Sequence, residues 1–449
     1  MKLALACLLP LAFVGQHALG NPARGGQTPL VLQDDLSDAF VSSPGVSAVE
    51  SLSNFIMTSL TDSQREDLML KLWQHHDVVD VMTMTGHGEG LEEERLVQVF
   101  GEYSPRKMTE GDKYRLKKAG YNFMDITDHP NLGQINRQRA LINAVSLDNP
   151  IDDETKSSIK AMMMGLDDKH LRADIAKLSS FWNRNYKSHW GLSSSNWIHD
   201  QVEAIFNSSN RNKIRTSVRK FPHKFVQNSI IARIESVDGN AEDKELIILS
   251  AHQDSLNYML PFYRAPGADD DGSGSVTCLQ VLRSLVEHAF VPPSNLALEF
   301  HWFAAEEGGL LGSQDVAAAY EKEGKKIKGM LHMDMTAFVK TGTTPIIAFF
   351  QSQVDTNLTA FATKLVDEYL PLKWNFTGCG KSCGSDHMSF YKAGFSVTFA
   401  TEGLFEDGPL DNIHTANDDT DQDGQYSFDH MLEFVKLGLA FVAELAARQ

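Results

Sequence analysis

Beyond Ser229 the chain alternates apolar runs of strand length with amphipathic helical stretches, and this alternation is what most limits its fold. SIIARIES alternates as a half-buried strand, and ELIILSA is one continuous apolar run. LALEFHWFAA, IKGMLHMDM, PIIAFF and FSVTFA read as further strands, separated by helical patterns such as SVTCLQVLRSLVEHA and LTAFATKLVDEYL. The alternation predicts an α/β layer structure, a mostly parallel mixed central sheet flanked by helices on both faces. With 449 residues and 42% hydrophobic content the chain can bury such a core.

The N-terminal part reads differently. MKLALACLLPLAFVGQHALG has a lysine, a short apolar run and small residues at cleavage-like positions, so residues 1–20 are expected to be a secretory signal peptide. Residues 21–130 show helical patterns such as SLSNFIMTSL and REDLMLKLWQ and carry no catalytic constellation. In a secreted protein this predicts a helical pro-segment, followed by a catalytic domain at 131–449; an ordinary helical N-terminal domain is the other reading. No later segment has the 18 unbroken apolar residues of a membrane span. A net charge of −18 argues against general binding to nucleic acid or anionic lipid. In an oxidising compartment the CGKSC spacing can close a small disulfide between Cys379 and Cys383, while Cys278 lies on an apolar helical pattern as a buried thiol. Sequons at Asn207, Asn357 and Asn375 fit a secreted glycoprotein.

Polar residues cluster where the predicted strands end. ELIILSA runs into His252 and Asp254, LALEFHWFAA into Glu306 and Glu307, and IKGMLHMDM carries Asp334. Open α/β sheets bind ligands in the crevice beyond the carboxyl ends of their strands. The glycine-flanked loop GADDDGSGS and His414 of NIHTANDD complete the set: His252, one Asp of the triplet, Glu307, Asp334 and His414. Imidazoles and carboxylates without thiolates suit zinc, cobalt or manganese, and five ligands exceed the usual three of one catalytic zinc. A bridged pair of metals is the economical reading.

SAHQDS, PGADDDGSGS, FAAEEGGLLGSQD, HMDMT, CGKSCGSDH and NIHT resemble, in order and spacing, the secreted dizinc leucyl aminopeptidases of bacteria and their fungal relatives. FWNRNYKS and FMDITDH extend the resemblance back to about Phe123. It implies a zinc exopeptidase type of fold, two Zn²⁺ per chain, peptide substrates with a free N-terminus, and a secreted monomer. His252 and Asp334 would bind one zinc and Glu307 and His414 the other, with Asp270 bridging. Asp254 would orient His252. Glu306 would accept a proton from the attacking water as general base. Adjacent acids can share a site only where a strand gives way to a turn, as Gly308 and Gly309 allow. Met335, Phe399, Phe405 and Ile413 are wall candidates for an apolar first side chain. One departure is Lys381, which stands between the cysteines where relatives commonly carry an aromatic residue, with Gly384 inserted before SDH. A single-zinc glutaminyl cyclase-like acyltransferase, a carboxypeptidase or dipeptidase of the same clan, and a non-catalytic binding module of peptidase descent are the alternatives.

Overall fold

The structure, a computed structural model, describes residues 76–84, 87–139, 151–208, 213–240, 244–380 and 383–448. The expected signal peptide, the pro-segment up to residue 75 and Lys381 lie outside the described residues. The chain forms two compact units, one comprising the N-terminal part with Thr109–Lys118 and the other Arg95–Met108 with Ala119 onward.

In the first unit, helices α1 (Val78–Met84) and α2 (Glu110–Lys118) are tied by an ion pair of Arg115 with Asp77 at 3.0 Å. The expectation of a purely helical N-terminal region needs correction. Three short strands that fall, but for Glu94 and Thr109, in the second unit, β1 (Glu94–Val99), β2 (Arg106–Thr109) and β3 (Phe123–Asp125), form a sheet in the order β2-β1-β3. The helical patterns that prompted the expectation belong to residues 51–74, outside the described residues. RLVQV, by contrast, alternates with the period of a strand, burying Val97 and Val99 on one side.

The second unit carries helices α3 (Gln134–Arg139), α4 (Asp153–Met163), α5 (Lys169–Leu178) and α6 (His189–Asn207) before the main sheet begins. Eight strands follow: β4 (Ile214–Phe221), β5 (Ser229–Ser236), β6 (Glu245–His252), β7 (Leu296–Phe303), β8 (Ile327–Met333), β9 (Ile346–Phe350), β10 (Lys373–Thr377) and β11 (Val397–Thr401). Between and after them run α7 (Gly272–Glu287), α8 (Leu311–Glu323), α9 (Thr356–Tyr369), α10 (His387–Lys392) and α11 (Phe428–Ala447). The sheet order is β10-β9-β11-β8-β6-β7-β5-β4. Its centre is parallel: β6 pairs in parallel with both β7 and β8, and β8 with β11. The edges turn antiparallel, β4 against β5, β5 against β7 and β11 against β9.

The period of two in a strand explains the layering. In β6, Ile247, Leu249 and Ala251 enter one hydrophobic cluster with residues of α7 and α11, whereas Leu246 and Ile248 enter a second with Val316, Ala317 and Tyr320 of α8. Both faces of the central strand are therefore dry, which is why ELIILSA reads as a continuous apolar run. Cys278 is buried in α7, as its apolar pattern predicts.

Candidate metal centre

Parallel pairing at the centre of the sheet brings three strand ends to one edge. β6 ends on His252, β7 on Phe303 three residues before Glu306, and β8 on Met333 just before Asp334. Ser250 lies level with His332 across β6 and β8, which brings the strand ends that carry His252 and Asp334 side by side. One imidazole Nε2 to carboxylate Oδ1 distance of 3.6 Å results.

After β7 the chain breaks its alternation at Ala305, a non-glycine residue with φ 55°. The amides of Gly309 and Leu310 then donate to the Glu306 carbonyl at 2.9 and 2.8 Å, closing a tight turn. Gly309 itself has φ 105°, and a Cβ there would meet the Asp125 backbone at 2.9 Å. The turn that lets Glu306 and Glu307 share one site thus begins at Ala305, ahead of the glycine pair. Asp254 holds it from below: one carboxylate oxygen accepts from the Glu306 amide at 2.9 Å and the other from the Glu307 amide at 3.2 Å. Asp254 Oδ1 is also 3.5 Å from His252 Nδ1, at the outer limit of a hydrogen bond.

The three acids of the DDD run have three jobs. Asp269 accepts from the Ala337 amide at 3.2 Å. Asp271 caps α7 by accepting from the Gly274 amide, and also accepts from the amides of His252 and Met335 at 3.0 Å each. Only Asp270 turns its carboxylate between the two imidazoles, 3.1 Å from His252 Nε2 and 2.7 Å from His414 Nε2. Asp418 fixes this loop, its two oxygens accepting from the Asp269 and Asp270 amides at 3.0 Å each.

Two groups of possible metal ligands result, His252 with Asp270 and Asp334, and Asp270 with Glu307 and His414. They share Asp270. Glu307 Oε1 lies 3.1 Å from His414 Nε2, and Glu306 is buried beside them, 8% exposed. Among the described residues Asp270 and Asp334 form ion pairs with imidazoles only. The buried Arg184 guanidinium is spent on carbonyls, at 2.7 Å from Gln253 and 2.8 Å from Gly267, with a third bond to Pro266. Burial pulls the His414 imidazole down, but Glu307 and Asp270 outweigh it and lift its pKa to about 10. His252 is likewise raised, burial being overcome chiefly by Asp334. Carboxylates that clamp protons onto both imidazoles are a donor set short of cationic charge, and divalent ions fit it, releasing those protons on binding.

A model of peptidase family M28 matches residues 229–437. A leucine aminopeptidase 1 of Pyrenophora teres is 39% identical over 348 residues, covering 76% of this chain and 86% of the relative. One from Emericella nidulans is 39% identical over 363 residues, 79% of this chain and 90% of the relative. The chain belongs to peptidase family M28. Among solved structures, LapB of Legionella pneumophila superposes with a TM-score of 0.64 at 26% identity, covering 78% of this chain and 95% of its own. The LapA aminopeptidase of the same organism gives 0.65 at 24% identity, covering 79% and 99%, a likeness of fold.

As an M28 peptidase with two metal-competent clusters joined on one carboxylate, the chain is a zinc metallo-exopeptidase. The five residues read as candidate ligands fall in these two clusters, Asp254 accepts from the amides of Glu306 and Glu307, and Glu306 is buried in the turn. The Cys379–Cys383 disulfide is formed. Met335, Phe405 and Ile413 are half-buried. Phe399 is buried in a cluster with Phe350 and Val354, on which the two cysteines pack. Asn207, Asn357 and Asn375 are exposed.

Sequence reasoning missed the supports of this M28 centre. Arg184 sits in the quoted FWNRNYKS and Asp418 in NIHTANDD, but no local pattern tells a buried supporting charge from a solvated one. Glu402 had no signal at all, and it accepts from the Ala337 and Phe338 amides at 3.0 and 2.6 Å.

Proposed function

We propose that the chain removes N-terminal amino acids, preferring apolar, leucine-like residues, from peptides with a free α-amine. The observation that carries this reading is the pair of clusters sharing Asp270, with Glu306 in the adjoining turn. Relatives that bear the name leucine aminopeptidase support the specificity. His252 and Asp334 would hold one zinc, Glu307 and His414 the other, and Asp270 both. Two zinc ions, when bound, supply Lewis acidity toward the attacking water and the scissile carbonyl.

The chain's own residues do the rest. Asp254 fixes the backbone of Glu306 and Glu307 through both its oxygens, so that Glu307 ligates while Glu306 stays out of the ligand set. The Glu306 carboxylate takes a proton from the attacking water and returns it to the leaving amine. Met335, Phe405 and Ile413 wall the pocket for the first side chain, and Phe399 backs it from the core.

The N-terminal part is read as a secretory signal (residues 1–20) and a pro-segment (21–130), and the mature enzyme as a secreted monomeric glycoprotein. The Asp125 amide donates to the Gly309 carbonyl at 3.0 Å, and Gln314 Nε2 donates to the Asp125 carbonyl at 3.0 Å, so β3 rests on the turn that follows Glu307. Among the described residues no helix is long and apolar enough to cross a membrane.

The test is Glu306→Gln in the purified secreted protein, assayed on a panel of aminoacyl substrates and on the same peptides with acetylated N-termini. Two zinc ions per chain should remain while kcat falls about 10²- to 10⁴-fold, and the acetylated peptides should be inert. An active Gln variant removes Glu306 from its role. Hydrolysis of blocked peptides removes the aminopeptidase reading.

A further inference from the structure

The two metal-facing histidines are held by different means. His252 ends a central strand, with its amide taken by Asp271 at 3.0 Å and its carbonyl by the Ser275 hydroxyl at 2.6 Å. Asp254 lies 3.5 Å from its far ring nitrogen, the carboxylate backing usual for a metal-binding imidazole. His414 comes from an irregular loop and has φ 58°, a conformation most side chains avoid. Among the described residues none is hydrogen-bonded to its Nδ1, yet its Nε2 is aimed at Asp270 and Glu307 at 2.7 and 3.1 Å.

The ring lies against Tyr258. The two rings stack with centroids 3.9 Å apart and planes 23° from parallel. The Tyr258 amide also donates to the His414 carbonyl at 2.9 Å. The platform is itself rigid. Asn257 accepts from the Met259 amide at 2.9 Å and donates to the Arg264 carbonyl at 2.8 Å. Arg264 reaches across to the Ala416 carbonyl at 2.8 Å, so the Tyr258 loop and the His414 loop are joined at two points.

We propose that Tyr258 is the positioning residue of His414: its ring face holds this imidazole by stacking, in place of the hydrogen-bonded carboxylate that commonly backs a metal-binding histidine. An imidazole pressed on an aromatic face keeps its in-plane nitrogen lone pair free for a metal and loses its freedom to tilt. The inference rests on the two-metal reading of the centre.

The test is zinc titration of the chelator-stripped protein, followed by calorimetry, with thermal melts of each stripped variant as the folding check. The wild type should take two ions. Tyr258→Ala and Tyr258→Leu should weaken one of the two steps by roughly 10- to 100-fold, the usual cost of losing a partner behind a metal ligand, and leave the other within about twofold. Tyr258→Phe keeps the ring and should bind both ions as the wild type does. A wild type that takes fewer than two ions overturns the two-metal reading and this inference with it. A wild type that takes two, matched by both truncated variants, overturns this inference alone. So does a Phe variant as weak as the Ala variant, or an equal loss in both steps.

Discussion

Two constellations of imidazole and carboxylate groups among the described residues do opposite things. One is the metal centre. The other lies behind β7: Ser229 Oγ is 2.7 Å from His223 Nε2, His223 Nδ1 is 2.6 Å from Asp315, and His129 contacts the second Asp315 oxygen at 2.6 Å. In outline this is a serine–histidine–aspartate array of the kind that activates a nucleophile. It is closed, however. Ser229 is fully buried, and its oxygen already accepts from the Ala304 amide at 3.0 Å. Asp315 can only accept, so His223 Nδ1 donates to it and Nε2 accepts from the serine. Each of these contacts is satisfied within the protein. At the metal centre, among the described residues, Asp270 and Asp334 form ion pairs with imidazoles only, and Glu307 with Asp270 raises the pKa of His414 while Asp334 raises that of His252, which is an excess of negative charge looking for a cation. Residue types alone do not distinguish a site from a scaffold; access and the balance of partners do.

That contrast can be broken or sharpened by experiment. The largest effect belongs to Asp270→Asn, which removes the carboxylate common to both clusters: activity should fall about 10³-fold or more, with zinc content below two per chain by elemental analysis. Full activity with two bound ions would undo the bridging assignment. Asp418→Ala leaves the ligands in place but frees the Asp269 and Asp270 amides; a loss of about 10- to 100-fold in zinc affinity is expected, and an unchanged titration would show that the loop holds itself.

Ser229→Ala should cost about 1–3 kcal/mol of stability, because the buried Ala304 amide loses its acceptor. Its kcat should stay within about tenfold of wild type, since Ser229 makes no attack. Labelling of Ser229 by a serine-directed acylating reagent would contradict the closed reading. The smallest effect is on pH dependence. Burial alone would raise the Asp315 carboxyl, but the hydrogen bonds from His129 and His223 outweigh it and hold its pKa at about 2. A carboxyl depressed on folding contributes stability that is present above its unfolded value near 4 and lost as pH falls toward 2, at most about 2 kcal/mol here. Denaturation midpoints of Asp315→Asn should therefore vary less than wild type between pH 4 and 2. An identical profile would mean that Asp315 is not held low.

Much of the main unit was legible because local chemistry and tertiary environment agree. ELIILSA and LALEFHWF are strands whose continuous apolar pattern matches burial on both faces, whereas SIIARIES, expected to be half-buried, is a strand buried along nearly its whole length because both of its faces are covered. IRTSVRKF and KWNFT, the two edge strands, were not anticipated; with one buried residue each, they carry little apolar pattern and are held by pairing with β5 and β9. The small β2-β1-β3 sheet was missed because its strands are only three to six residues long.

The sequence by itself determined the ligand types, their order along the chain and their position at strand ends, because strand period and donor chemistry are local properties. It also placed two acids at a turn. Tertiary structure decided which acid of DDD stands between the imidazoles, through Asp418 from about 150 residues away. It brought Asp334 beside His252 through the register of two parallel strands, and it laid Tyr258 on His414. It also sealed Ser229, His223 and Asp315 into a scaffold. These outcomes depend on which distant surfaces meet and which polar groups are left without a partner, and no short window of sequence contains that information.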